Sequence, residues 1–279
     1  MMRKPACWFA SLLIILFFGA CKKNAGVEPV QPPVITDINV QAETEPAVLS
    51  TQLFSLNANI GGFYSAVPAN YSKTTKSYPL LVSIHGGGQY GNGDLDLPVL
   101  LNDGIPQLLD EKIFPPNFIS NGINYSFIVF APQLKQFPAA QDIKDVIDYA
   151  RQHYRIDSTR IYISGLSNGG SASCLVAGTY ANEIAAVVPV SGEYNHDTVC
   201  SSLAKNKVAI WDFHNNDDPV VSISSATSFI SLVNSFSPVI VPRLTIFQSD
   251  KHDAWTKAIN PKYKENNMNI YEWMLQYTK

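Results

Sequence analysis

The feature that most restricts the fold of this chain is a series of short, almost unbroken apolar runs separated by stretches of helical periodicity. The runs are "YPLLVSI" (78–84), "SFIVFAP" (126–132), "RIYIS" (160–164), "AAVVPVS" (185–191), "VAIWDF" (208–213) and "RLTIFQ" (243–248). They are rich in β-branched and aromatic residues, and continuous apolarity means that both faces of a strand are covered. "FYSAVP" (63–68) alternates instead, as an antiparallel strand does. Between the runs lie amphipathic segments at 140–153, 171–182, 222–235 and 264–278, the last with Ile270, Trp273, Met274 and Tyr277 at helical spacing. Strands alternating with helices predict an α/β fold: a mostly parallel central sheet with helices on both faces. In such sheets the functional groups come from loops at the carboxyl ends of the strands.

The ends of the chain read differently. Arg3 and Lys4 precede an apolar stretch from Trp8 to Phe18, and Gly19-Ala20-Cys21 follows. A charged start, a short apolar core and small residues before a cut describe an export signal over 1–20, too short to span a bilayer. The Gly-Ala-Cys ending resembles the lipobox of bacterial lipoproteins. That resemblance implies a lipidated Cys21, an exported protein, and anchorage at a bacterial outer membrane or cell surface. Residues 21–45 are rich in proline and polar side chains, which predicts an extended linker, and 46–279 is expected to be one catalytic domain.

Composition excludes several classes. With 46% hydrophobic and 15% charged residues the chain is a folding one, not a disordered one. Arg3 and Lys4 are the only charges in the signal, so its removal takes the net charge from −3 to −5, which offers nucleic acid no footprint. Beyond Cys7 and Cys21, Cys174 and Cys200 remain; they form a candidate disulfide, the alternative being two buried thiols. They lack the spacing of a zinc site, and no metal is expected.

Four strand ends carry the chemistry. After "YPLLVSI" comes "HGGGQYGNGD" (85–94), whose glycines expose backbone N–H groups suited to stabilising an oxyanion. After "RIYIS" comes Gly165-Leu166-Ser167-Asn168-Gly169, a G-x-S-x-G in the strand–turn–helix context that presents a nucleophilic serine. A serine hydroxyl needs a base, and the base an orienting carboxylate. "HNNDDPVV" (214–221) offers Asp217 and Asp218, and "SDKHDAW" (249–255) offers His252. The chain order Ser–Asp–His is that of α/β-hydrolases.

From about residue 60 to 278 the chain resembles the α/β-hydrolase esterases grouped with predicted peptidases, polyhydroxybutyrate-depolymerase-like enzymes and feruloyl or acetylxylan esterases. The likeness rests on "LLVSIHGGG", "VLLNDGIPQLL", "FIVFAPQ", "YRIDSTRIYISGLSNGG", "AAVVPVSGE", "FHNNDDPVV", "KHDAWTKA" and "YEWML". It implies an α/β-hydrolase fold and a serine esterase without cofactor. Ser167 would be the nucleophile, His252 the base and Asp218 the acid, with Asp217 as the alternative acid. The N–H groups of Gly87 and Asn168 would form the oxyanion hole. The implied substrate is a small-molecule or polysaccharide ester, with acyl or feruloyl groups on polysaccharide as the favoured case. Two residues depart from the family pattern: Asn215 replaces a glycine after His214, and Asp250-Lys251 replaces a glycine before His252. His85 and His214 read as loop braces. Asn92, Asp94 and Glu193 are expected near the mouth of the site, with Tyr90 and Trp255 lining either pocket or core. The rival functions are a serine peptidase using the same residues and a surface glycan-binding protein that has lost catalysis.

Overall fold

The structure is a computed structural model that describes residues 38–194 and 196–279. The signal and Cys21 therefore lie outside the described residues, as does most of the linker. Its described end is docked rather than extended. Asn39 Oδ1 accepts the Thr75 N–H (2.8 Å), and the Glu43 carboxylate, 4% exposed, accepts from the Asn70 backbone and side-chain amides (3.1 and 2.9 Å).

The elements in chain order are β1 (Val48–Gln52), β2 (Ile60–Val67), β3 (Tyr78–Ile84), α1 (Gly104–Asp110), β4 (Phe118–Ser120), β5 (Ile123–Tyr125) and β6 (Ile128–Leu134). Then follow α2 (Ala140–His153), β7 (Ile156–Leu166), α3 (Asn168–Thr179), β8 (Ala186–Val190), α4 (Asp197–Lys205) and β9 (Ala209–Asn215). The chain closes with α5 (Ile223–Ser235), β10 (Arg243–Phe247), α6 (Ala254–Ala258) and α7 (Ile270–Met274). Eight strands form one sheet in the order β1-β2-β6-β3-β7-β8-β9-β10, parallel from β6 to β10 and antiparallel only at the β1–β2–β6 edge.

The inner strands β3, β6, β8 and β9 are buried along their whole length, the reason their sequences do not alternate. One face carries Val82, Ile163, Val187 and Ile210 under α2–α5; the other carries Leu81, Tyr162, Val188 and Trp211 under α1, α6 and α7. This is the α/β-hydrolase arrangement. Helix α3 is built almost wholly of small residues and lies close enough to α4 that a Cβ on Gly178 would meet Val199 Cγ1 at 2.2 Å.

Three expectations need correction. The helix expected over 264–278 is confined to Ile270–Met274. Asn266 and Asn267 take positive φ values (53° and 64°), Glu265 and Met268 form a bridge across that turn, and Asn269 caps the short helix. Strand β6 begins two residues later than expected and runs through Leu134, because β2 pairs with it that far. The Cys174–Cys200 disulfide is absent: both are buried free thiols, packed as small apolar groups in the core beneath α3 and α4. Burial pushes the Cys200 thiol up to about 11 and Cys174 well above the ordinary range.

Candidate active site

Strand β7 must reverse into α3 within one residue, and that residue is Ser167, with φ 53° and ψ −121°. A non-glycine residue in the left-handed region is strained and persists only where its surroundings over-determine it. They do so by backbone contact. A Cβ on Gly165 would lie 2.1 Å from the Gly169 carbonyl oxygen, and one on Gly169 would lie 2.1 Å from the Ile84 oxygen. The two glycines of G-x-S-x-G are thus required by close approach of β7, α3 and β3. Ser167 N–H donates to the Val190 carbonyl (2.8 Å), which fixes the turn to β8.

The other two strand ends bring their side chains to this serine. His252 Nε2 lies 2.8 Å from Ser167 Oγ, and His252 Nδ1 lies 2.7 Å from Asp218 Oδ2. A carboxylate can only accept, so Nδ1 carries the proton and Nε2 is free to accept from the serine hydroxyl. Asp218 Oδ1 accepts the amides of Val220 and Val221 (2.9 and 3.0 Å). Burial works to raise the Asp218 carboxyl, but the hydrogen bonds from His252, Val221 and Val220 outweigh it and hold it below the usual carboxylate value. Asp217 is exposed and accepts from Asn216 Nδ2 (2.8 Å), so of the two neighbouring acids Asp218 is the one that meets the imidazole.

Gly87 packs against the Asn168 side chain: a Cβ on Gly87 would lie 2.7 Å from Asn168 Nδ2. Asn168 is the first residue of α3, where the amide has no carbonyl partner within the helix. Its side chain donates to Tyr90 Oη (3.2 Å). The glycine loop is braced by His85, whose Nδ1–H donates to the Gly86 carbonyl (2.7 Å) while Nε2 accepts the Leu134 amide (2.9 Å). Burial drives the His85 imidazole down to about 4, so it stays neutral in this role. His214, also buried, donates from Nε2 to the Val221 carbonyl (2.8 Å) and braces the acid loop.

Some residues behave differently from the expectation for the mouth. Asn92 belongs to a turn packed on Gly61 of β2 and, with Asp94, is absent from the lining of the cleft before Ser167. Trp255 is buried, stands edge-on to the His252 ring at 5.1 Å, and donates from Nε1 to Asp103 Oδ2 (2.8 Å). Asp103 was not singled out from the sequence, although an aspartate capping a helix was its signal. The cleft, about 670 Å³, is walled by Phe137, Leu175, Glu193, His196, Val199 and Val221 among others; of these only Glu193 was anticipated. Among the described residues no cluster of three or more side chains could hold a metal, and no helix is long and apolar enough to cross a membrane.

The sequence model of the BD-FAE family matches residues 68–218, just over half of the chain. The bifunctional acetylxylan esterase/xylanase XynS20E of Neocallimastix patriciarum is 27% identical over 202 residues, 72% of this chain; the chain spans 27% of that protein's length. Among solved structures, a thermostable esterase aligns with a TM-score of 0.58 at 22% identity, covering 84% of this chain and 63% of the other. A ferulic acid esterase aligns with a TM-score of 0.56 at 14% identity, covering 78% of this chain and 96% of the other. These structural likenesses agree with the α/β-hydrolase fold.

Proposed function

The chain belongs to the BD-FAE family, and from that premise we propose that it is a serine carboxylic-ester hydrolase acting through an acyl-enzyme. The observation that carries the reading is the continuous hydrogen-bonded chain from Ser167 Oγ through His252 to Asp218, at 2.8 and 2.7 Å. In this reading His252 Nε2 takes the hydroxyl proton as Ser167 Oγ bonds to the ester carbonyl carbon. The N–H groups of Gly87 and Asn168 hold the oxyanion, a contribution worth several kcal/mol in comparable sites. The intermediate collapses, the C–O bond to the alcohol breaks, and the alcohol leaves with the proton from His252. Water then gives a proton to His252 and attacks the acyl carbon, and Ser167 is restored as the acid departs. Asp218 holds the tautomer and stabilises the imidazolium in both halves.

The family and the acetylxylan esterase relative support acyl or feruloyl esters on polysaccharide as the substrate class. The Gly-Ala-Cys ending supports export and a lipid anchor on Cys21. Hydrolysis of 4-nitrophenyl acetate and methyl ferulate, set beside a peptide nitroanilide, tests the reaction class. Turnover of the esters, lost in Ser167→Ala, is the expected result. Turnover of the nitroanilide alone would make the protein a peptidase, and turnover of none would leave a binding protein.

A further inference from the structure

The cleft in front of Ser167 is lined by one acid and, among the described lining residues, by no lysine or arginine. That acid is Glu193, and the backbone holds it close to the reacting centre. Its N–H donates to Ser171 Oγ (2.8 Å), and the Ser171 N–H donates to the Ser167 carbonyl (3.1 Å). Glu193 therefore sits against the first turn of α3, and it is exposed on the cleft wall. Asp217 and Asp250, both exposed, and half-buried Asp253 lie outside the cleft lining, as does the exposed Lys251. The remaining wall includes Phe137, Leu175, Val199 and the His196 imidazole, with the hydroxyls of Ser171 and Thr198.

Resting on the ester-hydrolase reading, we propose that Glu193 selects substrates by charge. The cleft takes esters whose bound portion is neutral and hydroxyl-bearing, as a sugar is, and turns away those that carry a carboxylate. An ionised carboxylate is a strong acceptor for a hydroxyl and a repulsive neighbour for another anion. In a water-filled cleft a substrate carboxylate several ångströms from Glu193 is disfavoured on the order of ten-fold at low salt, and less as salt screens the pair. The same charge acts on the product. Hydrolysis converts a neutral ester and water into a neutral alcohol, a carboxylate and a proton, so the reaction itself creates the anion that Glu193 repels. Substrate entry and acid release are thus favoured by one group.

The test compares 4-nitrophenyl hexanoate with mono-4-nitrophenyl adipate, matched in length and differing in a terminal carboxylate. The ratio of kcat/KM for adipate to hexanoate is measured for the wild type, Glu193→Gln and, as an exposed acid outside the cleft lining, Asp250→Asn. The ratio is expected to rise about ten-fold in Glu193→Gln, to rise with salt in the wild type, and to move little in Asp250→Asn. Inhibition by hexanoate is expected to strengthen in Glu193→Gln. An adipate-to-hexanoate ratio in Glu193→Gln equal to that of the wild type would overturn the proposal while leaving the hydrolase intact. A wild type that turns over neither ester would overturn both.

Discussion

Ser167 and Asn168 are held by backbone packed against backbone, whereas Asp218 and His252 are held by hydrogen bonds between two loops. On the first side Gly165 and Gly169 leave no room for a methyl group, and φ at Ser167 is positive. On the second side the end of β9 is laced to the loop after β10. Asn216 N–H donates to Phe247 O (2.9 Å), Asp217 N–H to Ser249 O (3.1 Å), Ser249 N–H to Asn216 Oδ1 (2.8 Å) and Asn215 Nδ2 to Lys251 O (2.7 Å). Packing contacts fail all at once, because a core cannot stretch to admit an atom. Hydrogen bonds fail by degrees, since each contributes about 1 kcal/mol net. The contrast predicts steep losses of stability on the nucleophile side and graded ones on the acid–base side.

The steepest response belongs to Gly169→Ala. Its methyl group would sit 2.1 Å from the Ile84 oxygen and 2.5 Å from the His85 oxygen, both backbone atoms. We expect about 3 kcal/mol or more of stability to be lost, read by thermal unfolding, together with nearly all activity. Asp218→Asn keeps the shape of the site but cannot hold the required tautomer. It should lower kcat by on the order of 10⁴ with the unfolding midpoint little changed. Acid separates the two sides in another way. His85 braces the glycine loop in its neutral form, near 4 when folded against 6.5 in the free group. The unfolded chain therefore takes up the proton first: the contribution is whole above about 6.5 and fades as pH falls toward 4, a loss of roughly 3 kcal/mol. Urea unfolding between pH 7 and 4.5 measures it, and His85→Gln should flatten that slope.

On the graded side, Asn215→Ala removes one tie between the two loops while leaving the other three. We expect kcat to fall about ten-fold with KM nearly unchanged, as a displaced imidazole would require. The smallest effect is expected for Asp217→Asn, within about two-fold in kcat/KM, since that side chain is exposed and turned toward Asn216.

The same division governs what could be read in advance. The inner strands were legible because both faces are buried, and the hydrogen-bonded trio Ser167, Asp218 and His252 was legible because each lies within five residues of a strand end. The hairpin β4–β5 is also encoded locally, in the Asn121-Gly122 pair with φ values of 50° and 76°, but it lies outside the alternation of strands and helices. What stayed hidden depends on distance along the chain. Trp255 meets Asp103 across 152 residues, and Asn215 meets Lys251 across 36, pairings that no local pattern encodes. The helix expected over 264–278 failed for a local reason: its apolar residues keep helical spacing and are buried, yet two asparagines in a left-handed turn precede them.

The central claim is that Ser167 is an activated nucleophile, and it is tested most directly by a fluorophosphonate probe on residues 22–279. The account predicts rapid labelling of the wild type, mapped by mass spectrometry to Ser167, and none in Ser167→Ala. His252→Ala, which removes the acceptor 2.8 Å from the hydroxyl, should label far more slowly. Folded protein that resists the probe, or that is labelled equally fast without His252, would contradict it.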